Sequence, residues 1–371
     1  MMHLDHEARR VLFVVDGLSG GGAENTVLRL AREMTGRGHD VEIVTIRAEL
    51  AYAIPDGVTL IESYDTSPRR LRKIGEVRRR ARLLDRALAG HSEWDLVVST
   101  LLTTDRIVRA SRLGESSWYR VPNTLSAEQL DCASGFKRRR RLARLKATYE
   151  GQKVVAISAG VGRDLVETVG ARPARLEVIH NPFDVEEVRR LADEPCRMAG
   201  EDYLVSVGRF SRQKRYDRLL GAFARARYPG RLVIAGTGTA EQIRAVAQRA
   251  RELGIADRVD LVGFEANPYP IMRQARALVL SSDFEGFGNV LVESLICGTP
   301  VVSTRCPHGP EEILTGDLSA GLADLTEESL ADAMDRVAQD PPVVTETHVK
   351  PFLVQEITDR YLGLVEWAGL D

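Results

Sequence analysis

Ala277-Leu-Val-Leu-Ser-Ser-Asp-Phe-Glu285-Gly-Phe-Gly-Asn289-Val-Leu-Val-Glu293-Ser-Leu-Ile-Cys-Gly-Thr-Pro-Val-Val302 decides the fold class of this chain. The run 277–280 is short and wholly apolar, as a strand buried on both faces must be. A glycine turn follows, and helical spacing begins near Asn289. A strand, a tight turn and a helix in that order place the helix start at the carboxyl edge of a parallel sheet, where such sheets bind ligands. The first backbone N–H groups there, on Gly288, Asn289 and Val290, favour a phosphate. Glu293, on the first turn or so of the helix, suits ribose hydroxyls, and Glu285, in the turn, suits sugar hydroxyls beyond the phosphates. Two acids alone would read as surface residues, Glu293 merely complementing the helix dipole. The glycine turn between them gives them a site.

Working outward, the same alternation recurs along the chain. Strand runs are read at 11–15, 41–46, 96–99, 119–121, 154–157 and 176–179, with a helix over 23–34. A second cycle has strands at 204–207, 232–235, 259–262, 277–280 and 300–303, with helices at 217–226 and 240–253. The first residues of the intervening stretch 181–200 are read as a hinge. The expected architecture is α/β: two Rossmann-like doubly wound parallel-sheet domains facing across a cleft, 1–182 and 183–350. A closing helix within 351–371 is expected to dock back on the first domain.

Seven more segments end strands of this scheme. Gly208-Arg209 follows 204–207, with Lys214 five residues on. A guanidinium fork and an ammonium point charge there can neutralise a diphosphate. Asp16-Gly-Leu-Ser-Gly-Gly21-Gly22-Ala-Glu24 follows the first strand, where glycine admits close backbone approach or simply relieves a turn. Gly236 and Gly238 end one strand, and Gly263-Phe264 ends another. Arg305-Cys-Pro-His308-Gly-Pro-Glu-Glu312 follows the strand at 300–303. In the first half, Thr103, Thr104 and Asp105 follow one strand and Asn123 another; Thr103, Asn123, His308 and Glu312 are the acceptor-side candidates. The second strand is followed by Arg47-Ala48, with no acidic residue to hold an NAD ribose.

Glu285, seven residues, Glu293, with Gly-Phe-Gly inside and Gly-Thr-Pro-Val-Val after, resembles the donor-site motif of glycosyltransferase family 4. The resemblance extends over nearly the whole chain and is sharpest from Val205 to Leu314. It implies the GT-B fold and sugar transfer with retention and without a metal. By the same resemblance Glu285 contacts the donor sugar and Glu293 the ribose, with Phe287, Gly288, Asn289 and Val290 between them in the donor site. Gly208-Arg209 and Lys214 meet the diphosphate, joined by Gly21-Gly22-Ala23-Glu24 from the first domain. Gly236 and Gly263-Phe264 line the nucleotide pocket, the latter against the base. Glu312 matches the family's Gly-Gly-x-x-Glu, whereas His308 departs from it. The family often has a catalytic His in the first domain, and no His of this chain matches it. The Cys-Pro-x-Gly-Pro form resembles bacterial members that assemble lipid-linked oligosaccharides and surface polysaccharides. The expected donor is therefore a UDP-hexose or UDP-N-acetylhexosamine, and the acceptor a hydroxyl of a lipid-linked saccharide.

The bulk properties fit a globular enzyme: 371 residues, 44% hydrophobic, 28% charged, net charge −2. No apolar run reaches the roughly 18–20 residues of a membrane span. The segment from Met1 to Arg10 has no apolar core of a secretory signal, and the four cysteines are scattered, so a cytoplasmic location is expected. Residues 1–180 carry 30 Lys/Arg against 23 Asp/Glu, and residues 181–371 carry 21 against 30. Nine of the cations lie from Arg69 to Arg86 and seven from Lys137 to Lys146. Such runs are either solvated helix faces or a basic surface for anionic headgroups at the inner face of the cytoplasmic membrane. They lack base-stacking aromatics, so nucleic acid is not an expected partner. A nucleotide-sugar epimerase, a GDP-mannose-dependent mannosyltransferase, a Rossmann oxidoreductase and a sugar-binding scaffold stay open as alternatives.

Overall fold

The computed structural model describes residues 7–18, 22–48, 52–64, 75–131 and 133–365. Of the segments singled out above, Gly21, the part of the basic run from 69 to 74, and 366–371 lie outside the described residues. The chain divides into two compact units, one of Met1–Pro182 with Val354–Asp371, the other of Phe183–Leu353.

The first unit is built on seven parallel strands: β1 (Arg10–Val15), β2 (Asp40–Thr45), β3 (Thr59–Glu62), β4 (Leu96–Thr100), β5 (Trp118–Val121), β6 (Lys153–Ala156) and β7 (Arg175–Val178). Their order is β3-β2-β1-β4-β5-β6-β7. The central strands are continuous apolar runs because helices cover both faces, and Val11 to Val15 are all fully buried. The helix Gly22–Gly36 buries Val27, Leu28, Leu30, Ala31 and Met34, a stripe at helical spacing. The same core takes in Ile357 and Tyr361 of the helix Val354–Leu362, both 0% exposed. Pro351 and Phe352, placed above in the closing segment 351–371, belong instead to the separate 3-10 turn Lys350–Phe352 of the second unit, where Phe183 N–H donates to Phe352 O at 2.8 Å. Strand β3 escaped the sequence reading because Thr-Leu-Ile-Glu sits on the sheet edge and buries only Ile61.

A buried polar cluster crosses this sheet. Arg120, 1% exposed on β5, donates to Asn181 Oδ1 at 2.6 Å and Thr100 Oγ1 at 3.2 Å. Asp105 accepts from Ser99 Oγ at 2.6 Å and Tyr149 OH at 2.8 Å. Thr104 and Asp105, named above for the edge of the site, are therefore inside the fold, both 0% exposed. The helix Leu102–Arg109 begins early enough to turn them inward and leaves Thr103 outside.

The second unit carries six parallel strands: β8 (Tyr203–Val207), β9 (Arg231–Ala235), β10 (Val259–Gly263), β11 (Ala277–Leu280), β12 (Val301–Thr304) and β13 (Leu322–Ala323), ordered β10-β9-β8-β11-β12-β13. Its core gathers Leu219, Leu220 and Phe223 of the helix Tyr216–Arg225, the strand residues Leu232, Ile234 and Val279, and Met334 and Val337 of the helix Glu327–Gln339. Two-residue β13 is too short to carry a period. The charged stretch after the hinge forms the helix Val185–Ala192, capped by Asp184 accepting from Glu187 N–H at 3.0 Å.

Burial pushes the Asp105 carboxyl from its ordinary 3.8 up to about 7, against the opposing pull of the Ser99 and Tyr149 hydrogen bonds and Arg120. The folded protein thus holds a proton that the unfolded chain has already lost, and this contribution to stability drains away as pH rises from 3.8 to about 7. Asp105→Asn, which keeps the shape and carries no ionisable proton, should lose less stability than the parent between pH 5 and pH 8 in urea unfolding. An equal loss in both proteins would show that Asp105 does not titrate there.

Candidate functional site

In the second unit the chain leaves β8 toward one side of the sheet and β11 toward the other. The gap between their carboxyl ends is the topological switch point, where an open α/β sheet admits a ligand. Arg209 and Lys214 follow β8, and Glu285 follows β11. The two loops are laced together. Asp283 N–H donates to Gln213 O at 2.9 Å, Gln213 Nε2 to Phe284 O at 2.7 Å, and Ser281 Oγ to Lys214 O at 2.7 Å. Asp283 accepts from Arg215 at 2.9 Å and from the buried Arg218 at 2.7 Å. Within this frame Lys214 Nζ lies 2.7 Å from Glu285 Oε1, which also accepts from Ser282 Oγ at 2.5 Å.

Two residues 71 positions apart, assigned above to different parts of a ligand, thus form one ion pair. Arg209 differs: it is exposed and makes no hydrogen bond or ion pair with the described residues. A carboxylate fixed by one cation, with a second cation free beside it, can orient a polyol while an anion is neutralised.

The neighbouring edge is held by backbone contacts. Gly208 N–H donates to Ala235 O at 3.0 Å, Phe210 N–H to Thr237 O at 2.7 Å, and Gly236 N–H to Gly263 O at 2.7 Å. A Cβ on Gly236 would sit 1.8 Å from Gly208 O, so only glycine lets β8 and β9 converge here. Phe264, just beyond β10, is 71% exposed, with an open face for a flat ring.

Beyond β11, Gly288 caps the helix Asn289–Ile296 without a side chain. Glu293 is on its second turn, four residues from Asn289, and Asn289, Val290 and Glu293 form its half-exposed face. Phe287 is not on that face. It is 2% exposed and packs edge-on to Phe352, with ring centroids 5.5 Å apart, so its side chain belongs to the core. The loop after β12 closes on the same place. Pro307 O accepts from Glu285 N–H at 3.2 Å, His308 takes a left-handed φ of 71°, and a Cβ on Gly309 would meet Phe287 O at 2.0 Å. Burial, aided by the Glu285 charge, pushes the Cys306 thiol up to about 12, which leaves it a poor nucleophile.

The four acceptor-side candidates divide between the units. His308 and Glu312, both half-buried, are in the second unit at the edge of β12. Thr103 and Asn123 line a cavity of about 400 Å³ in the first unit, at the carboxyl ends of β1, β4 and β5. Gly22 is the first residue of its helix. A cavity of about 550 Å³ in the second unit, bounded by Phe210, Arg212, Tyr216 and Arg249, contains none of the predicted site residues. Among the described residues no group of three or more His, Cys, Asp or Glu could hold a metal ion.

With this geometry in hand, known proteins give a consistent comparison. Residues 20–187 match the family model described as Glycosyltransferase Family 4, and residues 201–340 match Glycosyl transferases group 1. The chain belongs to glycosyltransferase family 4. Over 165 residues it is 34% identical to the N-acetylgalactosamine-N,N'-diacetylbacillosaminyl-diphospho-undecaprenol 4-alpha-N-acetylgalactosaminyltransferase of Campylobacter jejuni, covering 44% of each chain. Over 174 residues it is 33% identical to the lipopolysaccharide 1,6-galactosyltransferase of Escherichia coli, covering 45% of this chain and 47% of that one. The chain spans about half the length of the curated relatives it matches. The crystal structure of Anabaena HepE in complex with UDP and glucose superposes with a TM-score of 0.73 at 19% identity, over 97% of this chain and 100% of that one. The fold is GT-B.

In this family 4 glycosyltransferase the sequence reading had not placed Arg215, Arg218, Ser282 and Asp283, which hold the two loops together. Their signal was weak: charged residues beside a glycine turn read as solvated. It had also not placed Arg106, Arg141 and Arg144 in the cavity of the first unit. The last two were visible only as members of a charge run.

Gly236→Ala should destabilise the second unit by about 2–4 kcal/mol, since either β8 or β9 must move. Gly254→Ala, at a φ of 69° with nothing within 4 Å of its Cβ, should cost about 1 kcal/mol. Chemical unfolding of both variants checks this; equal costs would mean that the close approach at Gly236 is not rigid.

Proposed function

We propose that this protein moves a hexosyl or N-acetylhexosaminyl group from a UDP-sugar to a hydroxyl of a lipid-linked saccharide, with retention and without a metal, in bacterial glycan or surface polysaccharide synthesis. The observation that carries the reading is Arg209, exposed and without a hydrogen bond or ion pair among the described residues, on the same loop after β8 as Lys214 of the Lys214–Glu285 pair. In the reaction the bond between the anomeric carbon and the diphosphate breaks, and negative charge grows on the leaving oxygen. Arg209 and Lys214 stabilise that charge, so they act on turnover as well as on binding. The acceptor oxygen bonds to the anomeric carbon on the face the diphosphate leaves, and its proton passes to a phosphate oxygen of the departing UDP. Glu285, fixed by Lys214 and Ser282, holds the donor sugar; Glu293 takes the ribose and Phe264 the base.

Uridine as the base draws support from the solved neighbour whose crystals contained UDP and glucose. A lipid-linked acceptor draws support from the Campylobacter relative, named for a diphospho-undecaprenol substrate. No helix among the described residues is long and apolar enough to cross a membrane. The helix Gly135–Tyr149 instead begins with Phe136, 81% exposed, and with Lys137, Arg138, Arg139 and Arg140, all exposed. An aromatic ring among four cations suits the boundary of an anionic bilayer.

Arg209→Ala and Lys214→Ala should each lower turnover by about 10²–10³-fold. They should differ in stability: Arg209→Ala stays within about 0.5 kcal/mol of the parent, while Lys214→Ala strands the buried Glu285 carboxylate and unfolds more easily. Near-normal turnover by both variants would remove the site assignment. A thermal-shift screen against UDP-, GDP- and TDP-sugars should select the uridine compounds, and a preference for GDP-mannose would overturn that choice.

Co-sedimentation with vesicles rich in anionic lipid should fall when Arg138, Arg139 and Arg140 are changed to Gln, and should fall for the parent as salt is raised. Binding that is indifferent to both changes would leave the basic turn a solvated helix face.

A further inference from the structure

The cavity at the carboxyl edge of β1, β4 and β5 has a charge imbalance that the proposed transfer does not use. Three guanidinium groups line it: Arg106 from the helix Leu102–Arg109, and Arg141 and Arg144 from the helix Gly135–Tyr149. The guanidinium groups of Arg106 and Arg144 make no hydrogen bond or ion pair with the described residues, and that of Arg141 donates to Gln129 O at 2.8 Å. Two acids, Asp16 and Glu128, share the wall with these three cations, and Asp16 is paired with Arg47 at 3.2 Å. Burial, and then the neighbouring Arg144, push the Arg106 guanidinium below its ordinary value, against the smaller opposing pull of Glu76. Like charges that outnumber their counter-charges in one concave site are costly unless an anion joins them.

Helical spacing adds a direction. Lys137, Arg141 and Arg144 stand at i, i+4 and i+7, so one stripe of cations runs from the exposed start of their helix to the cavity wall. Thr103 and Asn123, which line the same cavity, offer a hydroxyl and an amide, the groups that hold neutral sugars.

We propose that this cavity binds a diphosphate carried by the acceptor, gripped by Arg106, Arg141 and Arg144, with the acceptor sugar on the Thr103 and Asn123 side and the lipid leaving along the stripe toward Lys137. The proposal rests on the transferase reading above and adds to it the chemical class of the acceptor. Recognition is by charge and guanidinium geometry, so it does not depend on which sugar is attached.

The test uses the full chain saturated with UDP, so that the donor site is filled. Isothermal titration with farnesyl diphosphate should show binding, and farnesol should show none. The double variant Arg106→Gln/Arg144→Gln should weaken farnesyl diphosphate binding by at least about ten-fold, with UDP affinity unchanged. Equal binding of farnesol, or undiminished binding by the double variant, would overturn the proposal. Inorganic diphosphate that binds as tightly as farnesyl diphosphate would overturn the lipid-carried source. A chain that fails to bind UDP at all fails on the transferase reading, separately from this one.

Discussion

The second unit depends on one constraint: the loops after β8 and β11 must stay apart enough to admit a ligand and yet be fixed relative to each other. Adjacent parallel strands would normally hand their loops to helices on one face. At the switch point they diverge, and nothing in the sheet ladder holds their ends. The Lys214–Glu285 pair, with Asp283 between Arg215 and Arg218, supplies that hold from side chains. Placing several charges there would be expensive without full pairing, and these are paired within the unit. The neighbouring strand ends need no side chains, because glycine lets the backbones bond directly at Gly208 and Gly236.

What could be read beforehand follows from what leaves a local mark. Strands buried on both faces are apolar without interruption, and all the central ones were legible from 11–15 to 300–303. The site edge was legible too, because a strand that ends in glycine before a helix can hardly be anything else. Edge strand β3 and two-residue β13 leave no period to detect. Phe287 lies inside the most distinctive motif of the chain and yet packs on Phe352, a contact between residues far apart in sequence. The same holds for the ion pair between Lys214 and Glu285, whose two members were assigned separate tasks. Motifs locate a loop well, but the direction of each side chain is set by tertiary packing.

The first unit shows the opposite balance. Its sheet was as easy to read as the second, and its ligand-facing residues were not. Thr104 and Asp105 turn inward, Thr103 stays out, and the difference is the phase of one helix. The basic run over 137–146 was read as one surface, yet the fold divides it. Its first turn is exposed with Phe136, while Arg141 and Arg144 reach a cavity wall. The excess of cations in the first half of the sequence has at least one local cause: a pocket with more guanidinium groups than carboxylates.

The division of the chain has a further consequence for synthesis. The first unit is discontinuous: Pro182 passes to the second unit, and the chain returns at Val354. Ile357 and Tyr361, both 0% exposed, complete the core that began with β1. During translation the second unit is therefore finished, and free to fold, before the first can bury its last apolar surface. The nascent first unit waits with an open flank beside the helix Gly22–Gly36 until the returning helix emerges. Damage near residues 354–362 should thus act on the unit made first, and the ribosome delivers its final wedge last.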